Sequence, residues 1–243
     1  MTTTDLPLAR DPQLPAVAEL LGPDSHHLLT AALGPSGGEL LTATPNDISW
    51  WPGSSITVGY AAEVAWQDGT RRAETLVAAA GSSVPDGALL LDGGPIGTVG
   101  VWRAPFDPGL PGFAPALDPE VLAGMLRDLD VDADPHTLRT RVLSYRPGRR
   151  AVIEVSGTSG RIFLKVVRPH KAEGIHRRHR HLRPHVAVPE SHGFSRDHGV
   201  VVLEALPGTT LREDLATDAR RPGGAEVLAL LDSLPEPFDG ARS

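Results

Sequence analysis

The chain has 243 residues, 40% of them apolar, no cysteine and a net charge of −7. That length holds one large or two modest domains with real cores, and the lack of cysteine excludes disulfides and thiolate metal sites. No run approaches the roughly 18–20 apolar residues needed to span a membrane, and the first residues lack the basic flank and apolar core of a secretory signal, so a cytoplasmic protein is expected.

Charge is unevenly spread. Residues 1–135 carry 18 acidic and 5 basic side chains, a net of −13, whereas residues 136–243 carry 12 and 18, a net of +6. The split predicts two parts with different jobs, the second suited to a polyanionic ligand.

In chain order, short helices are predicted at residues 14–21 and 119–129, the latter with Asp118 as N-cap and a proline at its first position. Residues 55–66 alternate: Ile56, Val58, Tyr60, Ala62, Val64 and Trp66 share one face of a half-buried strand. Gln67, Asp68, Gly69 and Thr70 are turn chemistry, and residues 72–79 return as the second arm of a hairpin. Residues 89–91 and 98–102 are further strands. The tryptophans at 50, 51 and 102 are expected to cover sheet edges or a junction. Asp107, Asp118, Asp128, Asp130, Asp132 and Asp134 lack the glycine and spacing of a calcium loop.

The polar, proline-containing stretch 130–135 marks a boundary. Beyond it, residues 141–145, 151–155 and 161–167 read as three antiparallel strands joined by turns at 146–150 and 157–160. On the third, Phe163, Lys165 and Val167 share one face and Ile162, Leu164 and Val166 the other, which is core. A lysine buried in such company needs an anionic partner, since an unpaired charge there costs several kcal/mol or loses its proton. The plain alternative is an edge strand with its lysine in solvent. A basic helix at 172–183 follows, with Ile175, His179 and Leu182 along one stripe and Glu173 in its first turn. Short strands are predicted at 186–190 and 199–205. A final amphipathic helix covers 225–234.

The order of these elements is that of a kinase N-lobe. Residues 141–215 resemble the N-lobe of the aminoglycoside phosphotransferase superfamily, the kinases of small hydroxylated molecules. The resemblance rests on Phe-Leu-Lys-Val (163–166), Val188 and Pro189, the bend Val-Val-Leu-Glu-Ala-Leu-Pro-Gly (201–208), and Leu-Arg-Glu-Asp-Leu (211–215). The first half is similar to the N-terminal cap of the maltokinase branch, especially in its Val-Ala-Trp-Gln-Asp-Gly hairpin (64–69).

The resemblance implies an α+β protein: an antiparallel β-rich cap (1–135), a kinase-like N-lobe (136–215), and a linker with a helix (216–243), the C-lobe being absent. It implies ATP as ligand. Lys165 would hold its phosphates, with Glu173 a distant match to the glutamate that pairs with such a lysine. Gly148, Arg149 and Arg150 would cover the phosphates, Phe163 would stack on adenine, and backbone groups from Glu204 through Ala205 to Leu206 would bond its edge. The family's catalytic His-x-Asp-x-x-x-x-Asn loop and later metal-binding aspartate have no counterpart here. The Mg2+ ligands are therefore expected in the absent C-lobe. The expected function is the nucleotide-binding portion of a small-molecule phosphotransferase, inactive alone, whose complete enzyme would phosphorylate a sugar or aminoglycoside-type hydroxyl. The alternative is a non-catalytic interaction module derived from such a lobe.

His181 and His185 have a spacing that can bind zinc, but neighbouring cations oppose it. The same basic run could grip nucleic acid; with no interleaved aromatics and a negative chain, a solvated helix face beside a phosphate pocket is expected instead.

Overall fold

The computed structural model describes residues 10–158, 160–209, 211–217 and 222–235. They form an α+β protein with two antiparallel five-stranded sheets and few helices. Two compact units are present. Residues through Ala114, together with Arg146–Arg150, form the first; Pro115–Tyr145 and the residues from Ala151 onward form the second. Composition places a boundary at 135/136, whereas the contacts place the chain's first passage between units at 114/115.

In the first unit, α1 (Ala16–Leu21) and α2 (Ser25–Leu33) precede β1 (Gly38–Trp51), β2 (Ser55–Trp66), β3 (Arg71–Gly81), β4 (Leu89–Asp92) and β5 (Thr98–Arg103). The strands lie in the order β1-β2-β3-β5-β4. The alternation read in 55–66 is observed: Ile56, Val58, Tyr60, Ala62 and Val64 are buried, Trp66 half-buried. They pack with Leu76 and Val99 against Val17, Leu20 and Leu29 of the two helices, the usual result of laying an apolar helix stripe on a sheet face. Tyr60 donates its hydroxyl to the Leu20 carbonyl at 2.6 Å, and burial pushes its phenol well above the ordinary value. The hairpin turn is held by Asp68, which accepts from the Thr70 hydroxyl at 2.6 Å and from its N–H at 2.9 Å. The hydroxyl is the larger of the influences that keep the Asp68 carboxyl below its usual range.

Strand β1 and helix α2 are absent from the sequence reading. β1 is an edge strand of 14 residues whose register against β2 shifts between Leu40 and Thr42 and again between Pro45 and Asp47. Each shift moves the alternation to the opposite face, so no single period-two pattern runs through it. The tryptophans divide as well. Trp102 is buried and Trp51 is 65% exposed, while Trp50 donates its ring N–H to Asp11 at 3.2 Å. Asp11 also accepts from Gly53 N–H at 2.7 Å, the main cause of a carboxyl held below its ordinary value.

In the second unit, α3 (Pro119–Arg127) is followed by β6 (Arg139–Arg146), β7 (Arg150–Gly157), β8 (Gly160–Val167), α4 (Pro169–Leu182), β9 (Ser191–Ser195), β10 (Val200–Glu204), α5 (Leu211–Ala216) and α6 (Gly224–Asp232). The strand order is β6-β7-β8-β10-β9. Asp118 caps α3, accepting from the N–H groups of Glu120 and Val121, as its position before a proline leads one to expect.

The strand expected at 186–190 is not formed; β9 begins at Ser191. Proline at 189 removes a ladder donor from the earlier stretch, and pairing with β10 organises the later one. Gly199, in the turn between β9 and β10, sits at φ +65°. A Cβ there would lie 2.1 Å from the Val167 carbonyl oxygen, so only glycine fits. Helix α6 buries none of its residues among those described, and Leu228 is 62% exposed.

Candidate functional site

Strand β8 is the middle strand of its sheet, and its alternation is the one read from sequence. Leu164 and Val166 are fully buried on one face. Phe163 and Lys165 are half-buried on the other, directly across from Leu203 and Val201 of β10. On that second face Val167, Val201 and Leu203 meet Ala172 of α4, with Phe163, Ile175 and Phe194 packed around them. Lys165 therefore occupies a register position flanked by apolar side chains. A half-buried ammonium on such a face favours an anionic neighbour.

Phe163, Glu173 and Glu204 each have a specific partner. The guanidinium of Arg161 lies 5.7 Å from the Phe163 ring centre, a cation–π geometry. Glu173 forms an ion pair with Arg196. The Glu204 carboxylate stands 3.7 Å from Arg183 and accepts the Glu190 N–H at 3.3 Å, while the Glu204 N–H donates to the Glu190 carbonyl. After Glu204 the strand ends; Ala205 is half-buried and Leu206 is 38% exposed.

Gly148, Arg149 and Arg150 fall in the first unit. The Gly148 N–H donates to Asp107 at 2.7 Å, and the same carboxylate accepts from Gly109 at 2.8 Å. Asp107 is only 3% exposed, so a buried carboxylate holds the backbone of the turn expected to cover the phosphates. Arg149 and Arg150 are exposed.

His181 and His185 bring their ring centres to 6.2 Å. Among the described residues no group of three or more histidine, aspartate or glutamate side chains is gathered to hold a metal.

Two cavities among the described residues of the second unit bear on the site. One, of about 260 Å³, lies on the Ile162 face, with Leu126, Leu138 and Val155 as apolar lining and Asp132 and Arg161 as polar groups. The other is an open groove of about 810 Å³ between α4 and β9. Sequence reading missed the groove because it placed a strand five residues too early. With β9 at its true position, Ser191 and Phe194 pair with Leu203 and Val201 on the face that carries the basic helix, and the register shift between them falls at His192, which lines the groove.

No family model matches the chain, and no curated protein or solved structure matches it.

Proposed function

We propose that the second unit is the nucleotide-gripping lobe of an ATP-dependent phosphotransferase acting on a small hydroxylated molecule. The observation that carries this reading is the placement of Lys165 on the middle strand of a β6-β7-β8-β10-β9 sheet, on the face against which α4, inserted between the third and fourth strands, packs. That arrangement supports a lysine whose ammonium neutralises nucleotide phosphates while the strand fixes its backbone. Beyond the end of β10, the free-running backbone at Ala205 and Leu206 is suited to bonding an adenine edge.

Phosphoryl transfer also needs a carboxylate to orient the acceptor hydroxyl and oxygen ligands for magnesium. Among the described residues no such metal site is gathered. The chain's own part is to bind and orient the donor. Glu173, engaged with Arg196, has no role in this reading.

Calorimetric titration with Mg-ATP tests it. Saturable binding is expected, with Lys165→Ala weakening it about ten-fold or more, the size of a lost charge-assisted contact. Binding that Lys165→Ala leaves unchanged, or no binding at millimolar nucleotide, would overturn the reading.

A further inference from the structure

Helix α4 is strongly basic: Lys171, Arg177, Arg178 and Arg180 stand against one acid, Glu173, which is already paired with Arg196. One flank of this helix forms a wall of the 810 Å³ groove, and neither Lys165 nor Phe163 lines it. The residues that do are spaced for convergence, because positions 176, 179 and 180 share a helix face at i, i+3 and i+4.

Two imidazoles in the groove are held by their inner nitrogens. His176 Nδ1 shares a hydrogen bond with the Ser191 hydroxyl at 2.8 Å, and His179 Nδ1 donates to the Pro189 carbonyl at 3.0 Å. Both rings are thereby fixed in orientation with Nε2 left for another partner. The acid lining the groove, Glu190, is taken by Arg183. Arg180 makes no ion pair among the described residues and is exposed, as is His192 across the groove on β9. Phe194 bounds one end, its ring 5.3 Å from that of His176.

We propose that this groove binds a small phosphorylated compound, with Arg180 and the Nε2 atoms of His176 and His179 as donors to its phosphoryl oxygens and His192 completing the rim. Three converging donors suit a tetrahedral oxyanion. A long polyanion is disfavoured, because the chain carries a net charge of −7 and, among the described residues, Phe194 is the only aromatic side chain besides histidine that lines the groove; a stacking row is what single strands need.

Binding takes up protons. Burial chiefly, then Arg180 and His179, hold the His176 imidazole below its ordinary value, against a smaller opposing influence of Glu173. The other charged or titratable groups facing it are Arg183, Glu190 and His192. A bound dianion favours the protonated form of His176, so affinity rises as pH falls.

The test is calorimetry of the full chain with inorganic pyrophosphate at about pH 6 and about pH 8. Binding at the lower pH, several-fold weaker at the higher, is expected. Arg180→Ser, an exposed change, and His179→Gln should each weaken it about ten-fold, all measured in the Lys165→Ala background, where the phosphate contact of the proposed nucleotide site is removed. That background separates this groove from the proposed nucleotide site. Absence of binding at the lower pH would overturn the proposal, as would retention of full affinity in Arg180→Ser. So would displacement of pyrophosphate by a single-stranded oligonucleotide with a steep salt dependence, which would make the groove a nucleic-acid surface.

Discussion

In both units the five strands lie in the order first, second, third, fifth, fourth, so β3 and β8 each occupy the centre of a sheet. β3 is closed on both faces. Leu76, Ala78 and Ala80 join the cluster beneath α1 and α2, and Val77 and Ala79 are equally buried on the far side. β8 buries Leu164 and Val166 on one face, whereas on the other, beneath α4, Val167 is buried but Phe163 and Lys165 are only half-buried. One topology thus serves as scaffold where its central strand is apolar throughout. It becomes a candidate site where a single register position carries a charge on a partly open face.

The sharpest way to break this comparison is to move the charge. Val77 stands across from Trp102 of the fifth strand of its sheet, as Lys165 stands across from Val201 in the other. Val77→Lys should cost about 3–5 kcal/mol, the penalty of an uncompensated buried ammonium, and leave the first unit unfolded or nearly so in a urea titration. Lys165→Met should keep the second unit folded at an equal or higher midpoint. If Val77→Lys were tolerated with little change in midpoint, the distinction between closed and half-open central strands would fail.

A smaller change sharpens the scaffold half. Tyr60→Phe removes the bond to the Leu20 carbonyl without opening a cavity, and should lower unfolding free energy by about 1–2 kcal/mol, read in the same titration. The smallest effect concerns pH. Because the His176 imidazole is held below its ordinary value when folded, the unfolded chain takes up the proton first. Stability is full above about pH 7 and declines as pH falls from about 6.5 toward the lowered value. His176→Gln should flatten that decline; an unchanged pH profile of the midpoint would assign it elsewhere.

The legible parts of the fold are those where one face is buried and the period is uninterrupted. Residues 55–66 and 161–167 show their strands directly, and Asp118 before Pro119 announces a helix start. β1 hides because two register shifts invert its alternation. β9 hides because Ser191, His192 and Gly193 have little intrinsic strand preference, while Val186 and Val188 nearby have more. Pairing of Ser195 with Val200 and of Gly193 with Val202 outweighs that preference.

The candidate site divides the same way. Alternation alone put Phe163 and Lys165 on one face. It could not supply their neighbours' partners, because these are distant in sequence: Glu173 meets Arg196, 23 residues on, and Gly148 meets Asp107, 41 residues back. Neither Arg196 nor Asp107 belongs to a motif with a spacing of its own.

Unpaired backbone along β1 would template addition of further strands if that strand ran true for its full 14 residues. It does not. The shift after Leu40, the shift after Pro45 and the missing N–H of Pro45 itself divide the free edge into three short runs. An incoming strand in register with one run is out of register with the next, so the ladder fails after a few bonds. The irregularity that concealed β1 in the sequence is thus a guard against aggregation, placed on the longest exposed edge of the first sheet.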